Sequence, residues 1–308
     1  MILTPENRED LAAKLAAASA SGQKTSGVAL SRLASIVEHT AEDMTATAEC
    51  GMTLQSFQKA LRSAGQWLPL DPPHPDQLTL AELLAFDLSG SRRLGYGTAR
   101  DYLIGVKVAL ADGQLVKAGG KVVKNVAGYD LCKLFIGARH SLGFIVEATF
   151  KLRPMPEAET FLHARFNSLD ELNRAARALL ESPVEPIVLD AHNLEGELAL
   201  VTAFAGMRED VEYQVAIARP LGFAICAAPL YQMNFGSEST AAKTSVLPSQ
   251  TIAAIQSIAP AQFLAHLGNG IIYFRGGTAP DDAPVPAKVM GRLKNAYDPK
   301  QILPAYCA

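Results

Sequence analysis

Three stretches of this chain carry residue types suited to holding phosphate against backbone. "SGSRRLGYGTARD" (89–101) interleaves three glycines with three arginines and ends on an aspartate. Glycine lets backbone approach a ligand closely, and the arginine fork offers paired donors to phosphate oxygens. "GGKVVKNVAGYDLCKLFIG" (119–137) places a Gly-Tyr-Asp corner before a short helix-like run, and "SLGFIVEATFKL" (141–152) opens on a glycine turn and continues as an alternating strand. Taken singly, each reads as turn residues beside a solvated basic surface. Taken in this order and spacing, they are more specific than that.

Other chemistries lack their signatures. The chain has no GxxxxGK[ST], no GxGxxG after a strand, no GxSxG and no HExxH. Its six histidines are isolated from one another in sequence, and each reads first as a surface or satisfied core residue. Cysteines 50, 132, 226 and 307 form no CxxC pair, so neither an iron–sulfur cluster nor a structural zinc site is built locally. Lone cysteines fit a reduced, cytoplasmic setting, and no metal ligands are assigned. The formal charge of -3, with Lys and Arg spread along the chain, leaves no footprint for nucleic acid. Apolar stretches such as "FAICAAPLY" (223–231) are too short to span a bilayer, and the opening residues lack the pattern of a secretory signal.

With 308 residues and 49% hydrophobic composition, the chain is expected to fold as two domains. Thr4 and Pro5 suit the start of a helix that carries Leu11, Leu15 and Ala18 on one face. "DMTATAECG" alternates as a strand, and Thr53 to Ala64 reads as a helix started by Thr53 and ended by Gly65. "PLDPPHPDQ" is too proline-rich for regular structure, and "LIGVKVALADGQLVKAGG" reads as a hairpin turning at Asp112-Gly113. After Pro154 and Pro156 the order becomes "FLHARF", a capped helix "SLDELNRAARALLES", the strand pair "PIVLDA" and "ELALVTAF", and a helix "REDVEYQVAIARPLG". A helix "QTIAAIQSIA", strands "AQFLAH" and "GIIYFR", and a closing helix near "PVPAKVMGRLKNAY" follow. The class is α+β, with a boundary near residue 156 and a ferredoxin-like layer beyond it.

The succession DPP, SGxxRxxYGxxRDxxxG, GGxVxKNVAGYDLxKLFxG and LGxIxEAxxKLxP resembles the FAD-binding oxidase family, whose PCMH-type fold is shared by vanillyl-alcohol oxidase and D-lactate dehydrogenases. Within that family it is most similar to the FAD-binding E subunits of bacterial glycolate oxidases (glycolate dehydrogenases). The resemblance runs from about Pro5 to Pro156 and resumes weakly in "KNAYDPKQILPA". It implies a PCMH-type FAD-binding domain of two α/β lobes over residues 1–156, with the first lobe shortened, and a ferredoxin-like α+β cap with a tail helix over 157–308. FAD would be the cofactor. Carried over by position, Pro72 and Pro73 lie where the chain first meets the flavin. Ser89, Gly90, Tyr96, Gly97 and Asp101 match the next loop; Gly128, Tyr129 and Asp130 match the helix-start corner; Gly143 and Ile145 match the strand beside the cofactor. The implied partners are a catalytic flavoprotein subunit and an iron–sulfur subunit. Arg92, Arg93 and Arg100 become candidates for FAD phosphate or for a partner's acidic face.

Several positions depart from the family pattern. A glycine-rich diphosphate loop is expected after the first helix, yet only "QKTSGVALS" separates Gly22 from Arg32. The Thr-Ile-Gly-Gly loop is here Thr79-Leu80-Ala81-Glu82, which suits continued helix and would set a carboxylate against a diphosphate. "GARHSLG" replaces a glycine-richer turn, which predicts altered turn geometry. "AHLGNGIIYFRGG" (265–277) keeps His266, Gly268, Asn269 and Gly270 of the family's histidine-rich strand without its second histidine. No orienting partner for His266 is visible, so it reads as structural and no catalytic residue is assigned. Two functions follow: a subunit of an FAD-dependent 2-hydroxy-acid (glycolate-type) dehydrogenase complex, or a cofactor-free pseudo-flavoprotein serving such a complex as scaffold or regulator.

Overall fold

The computed structural model describes residues 1–120, 130–228, 241–278 and 287–306. Gly128 and Tyr129 therefore lie outside the described residues.

The first part of the chain is built on a five-stranded antiparallel sheet. Its order is Ile36–Thr40, Thr45–Glu49, Phe144–Lys151, Leu103–Ala109 and Leu115–Gly119. The hairpin 103–119 turns at Asp112-Gly113, where Gly113 has φ +86°. Helices Arg8–Ser21, Leu54–Arg62 and Leu80–Ala85 bury Leu11, Leu15, Phe57, Leu61, Leu80 and Leu84 in this body's core. The first helix begins one turn later than its proline suggested. Asn7 caps it by accepting from the Asp10 amide, because the extended Thr4–Glu6 segment lies outside the helix. Thr53 caps the second helix and Gly65, at φ +65°, follows its end, as the spacing indicates.

The later part forms a seven-stranded antiparallel sheet, wider than a four-stranded ferredoxin-like layer. Its order is Ala224–Cys226, Ala158–Phe166, Leu198–Gly206, Val188–His192, Gln262–His266, Ile271–Arg275 and Ala242–Ser245. Side chains alternate between its faces. Leu162, Leu189, Leu200, Phe263 and Ala265 pack against helices Leu169–Glu181, Arg208–Ala218 and Thr251–Ile258. Phe161, Val188, Val201 and Leu264 belong to a second cluster, against which Tyr96 of the first body packs. The same inward parity carries Asp190 and His266, which stand opposite each other across neighbouring strands.

The end of the chain returns to the first body, where Ile302 and Leu303 join its core. Lys294 Nζ is buried and donates to Asp298 Oδ2 at 2.7 Å and to the carbonyls of Ser141, Leu303 and Pro304 at 2.9, 3.2 and 3.0 Å. Asp298 in turn accepts from the Ile302 and Leu303 amides. A buried ammonium with this many acceptors is compensated, and it pins the tail.

Candidate functional site

A cavity of about 520 Å³ lies between the first body and the inward face of the seven-stranded sheet. Pro73, Glu82, Phe86 and Ser89 line one side; Lys243, His266 and Tyr273 line the other. Its volume suits a small organic ligand. Strand register sets the sheet side: His266 faces Asp190, and Tyr273 pairs with Leu264 and Lys243 on the same face.

His266 and Asp190 are both buried, with Nδ1 2.6 Å from Asp190 Oδ1. The other Asp190 oxygen accepts from the Ser91 hydroxyl. Burial opposes the charged imidazolium, but the Asp190 carboxylate outweighs it, and His266 is raised above its ordinary value. This corrects the sequence expectation that His266 has no orienting partner. The bond at Nδ1 fixes the ring and leaves Nε2 for the cavity that His266 lines. Tyr273 stands edge-on to the imidazole at 5.7 Å, and burial raises its phenol.

The arginines of the stretch 89–101 make contacts within the chain. Arg92 donates from Nε and Nη2 to Glu159 at 2.8 and 2.7 Å, and reaches Asp71 at 3.5 Å. Its guanidinium lies over Trp67 and Phe161. Arg100 donates to the carbonyls of Lys133 and Ile136 and pairs with Asp87. Both arginines are thus engaged within the chain. The Gly95 amide donates to the Ile187 carbonyl, and a Cβ on Gly95 would meet Ile187 at 2.6 Å. The segment latches the cap sheet onto the first body.

Asp71 sits at this latch. Burial pushes its carboxyl up to about 6, against the pull of Arg92, whose amide donates to both carboxylate oxygens.

Of the other positions matched to cofactor loops, Pro73 and Ser89 line the cavity and Pro72 is buried beside it. Gly90 allows close passage: a Cβ there would lie 2.0 Å from the Asp71 carbonyl oxygen. Tyr96 packs edge-on to Trp67, and its carbonyl accepts from the Tyr102 hydroxyl. Gly97, at φ +84°, lets Asp101 close a capping box on Thr98. Asp130 is exposed and pairs with Lys133, while Gly143 and Ile145 pack against the hairpin strand at Val108. Tyr96, Gly97, Asp101, Asp130, Gly143 and Ile145 do not line the cavity. The turn at Arg139 and His140 keeps left-handed backbone, φ +51° and +61°, without glycine. His140 stacks on Phe144 and meets Phe86 edge-on.

Sequence reasoning missed Asp190, Ser91, Asp71 and Glu159. The contacts of Asp190, Ser91 and Glu159 span 99, 76 and 67 residues and that of Asp71 with Arg92 spans 21, and no local spacing signals them.

Residues 15–119 match the family described as "FAD binding domain". The chain is 36% identical over 155 residues to the glycolate oxidase subunit GlcD of Bacillus subtilis, covering 50% of this chain and 33% of that protein. It is 35% identical over 147 residues to the glycolate oxidase subunit GlcE of Escherichia coli, covering 47% and 42%. A D-lactate dehydrogenase of Archaeoglobus fulgidus is 30% identical over 204 residues, covering 60% and 45%. The chain thus spans less than half the length of each of these relatives. Among solved structures, an alkyldihydroxyacetonephosphate synthase superposes with a TM-score of 0.75 at 15% identity, over 100% of this chain and 77% of that one, which shows the fold. FAD is the cofactor of this domain type.

The residues present do not fit the diphosphate of FAD. Every backbone N–H from Thr79 to Leu83 already has a partner. Thr79 donates to Glu82 Oε2 at 3.0 Å, Leu80 to the Met52 carbonyl, Ala81 to the Cys50 carbonyl, Glu82 to Thr79 Oγ1 and Leu83 to the Thr79 carbonyl. A helix start that binds phosphate presents free amides, and here the Glu82 carboxylate closes the corner.

Proposed function

We propose, from the premise that the chain belongs to the FAD-binding oxidase family, that it serves as a subunit of a flavin-dependent 2-hydroxy-acid dehydrogenase of glycolate type. Residues 1–156 supply the cofactor-type domain and 157–308 the cap. The carrying observation is the cavity between them, into which the sheet presents His266 held by buried Asp190. An oriented imidazole facing a space of this size is equipped to position a hydroxyl or a carboxylate. Similarity to two glycolate oxidase subunits supports the substrate class and the assembly. The partners are a catalytic flavoprotein and an iron–sulfur subunit. Among the described residues no group of His, Cys, Asp and Glu is arranged to hold a metal. No helix among the described residues is long and apolar enough to cross a membrane.

A second reading keeps the assembly and gives this chain the part of a cofactor-free scaffold. The capping box at Glu82 favours it.

Co-expression with the neighbouring genes, followed by affinity purification through this chain, tests the assembly. Stoichiometric recovery of a flavoprotein and an iron–sulfur protein, with glycolate-dependent dye reduction, is expected. A chain that purifies alone from that co-expression would overturn it.

A further inference from the structure

Two corners of the first body are where the fold resemblance places the diphosphate of FAD, and the chain fills both with its own atoms. After the first helix ends at Gly22, four residues lead straight into the strand Gly27–Val28, which pairs in parallel with Ile2–Leu3. Within this link the Thr25 amide and hydroxyl both donate to the Ile302 carbonyl, at 2.7 and 3.0 Å, and the Ser26 amide donates to the Met1 carbonyl at 2.9 Å. The donors a glycine loop would turn toward phosphate are committed to the two ends of the chain. The Ile302 carbonyl is held in place because Asp298 accepts from the Ile302 amide at 3.0 Å and Lys294 secures Asp298 from within the core.

The second corner is closed by charge as well as by occupancy. Glu82 accepts from the Thr79 amide and hydroxyl at 3.0 and 2.7 Å, while its own amide donates to Thr79 Oγ1 at 3.2 Å. A diphosphate arriving there would have to displace a resident carboxylate, and until displaced that carboxylate repels it. Ala81 adds a steric condition: it is 4% exposed and belongs to the core, so its side chain is packed rather than set aside for a ligand. The helix itself, Leu80–Ala85, is six residues long and offers no further turn of free donors.

We propose that Glu82 and the Ile302 carbonyl are built-in substitutes for the diphosphate of FAD, so that this chain by itself does not hold the cofactor of its domain type. Flavin in the assembly then rests on groups supplied by a partner. The cavity beside Glu82 remains, bounded at its far side by Lys243, His266 and Tyr273. The inference deepens the proposed function and concerns the isolated full chain, so it stands apart from whether an assembly forms.

The test is titration of the purified full chain with FAD and, separately, with ADP, followed by calorimetry and by amide hydrogen exchange over residues 79–83 and 23–27. The expected result is no saturable one-to-one uptake of either probe and unchanged exchange at both corners. Glu82→Gln keeps a side chain able to complete the capping box while removing the charge. It is expected to change any residual affinity by less than about tenfold, because the first corner stays closed. The double variant Ala81→Gly/Glu82→Gly is likewise expected to take up no stoichiometric FAD. Saturable FAD binding by the wild-type chain or by either variant, or protection of the 79–83 amides by ADP, would overturn the proposal.

Discussion

The two sides of the cavity are built on opposite plans. On the side of the first body, the amides of Thr79 to Leu83 are all taken up, by the Glu82 carboxylate, by Thr79 and by the Met52 and Cys50 carbonyls, and none is left over for an anion. On the sheet side, Asp190 receives Ser91 and His266 and thereby fixes a ring whose other nitrogen remains available. Both are satisfied polar clusters. One is satisfied by committing every donor to the chain itself, the other by presenting a group. The difference teaches that glycine loss and helix capping can shut a ligand corner without disturbing the rest of a fold.

The largest expected effect lies on the sheet side. Asp190→Ala leaves the Ser91 hydroxyl and the His266 ring buried without their shared acceptor. Removing one member of such a buried pair costs about 3 kcal/mol or more, read by urea unfolding. A loss below about 1 kcal/mol would mean the two groups find water or new partners, and that the presenting cluster is not set by Asp190.

Lys294→Met probes the closed side at its root. It strips Asp298 of its cation and frees the tail, with an expected loss of about 3 kcal/mol. Amide exchange at Thr25 should speed up in parallel, since the Ile302 carbonyl loses its anchor. Unchanged exchange at Thr25 would separate the tail from the first corner.

Asp71 sharpens the comparison at the latch between the two sides. Its carboxyl is raised from 3.8 to about 6, so between those values the folded chain binds a proton that the unfolded chain has released. Its contribution to stability is therefore full below about pH 4 and falls as pH rises through about 6, by about 3 kcal/mol in all. A carboxyl carbon titration with its midpoint near 6 is expected. A midpoint in the ordinary carboxylate range would contradict its burial at the latch.

The smallest effect belongs to the capping box. Thr79→Ala removes the hydroxyl that serves the Glu82 amide, at an expected cost of about 1 kcal/mol. Near-zero cost in thermal or urea unfolding would mean the corner is not held by its cap.

Much of the frame was legible in the sequence because its signals are local. Thr53 and Gly65 bracket a helix, Asp112-Gly113 turns a hairpin, and Ser168 caps the helix after the first cap strand. The Thr79–Glu82 substitution was legible for the same reason: a Thr followed three residues later by Glu is itself a helix-start pattern. The site was less legible because its contacts are made by topology. Asp190 and His266 meet through strand register 76 residues apart, and Arg92 finds Glu159 across the latch. A glycine- and arginine-rich stretch looks alike whether it meets a phosphate or a neighbouring sheet. Only the fold shows that Gly95 makes room for Ile187.

The most direct test of the central claim is to count flavin per subunit. The assembly would be purified through this chain, its subunits separated under conditions that retain bound FAD, and flavin released from each fraction by denaturation. The account predicts flavin with the partner flavoprotein and none with this chain. One FAD per copy of this chain would contradict it.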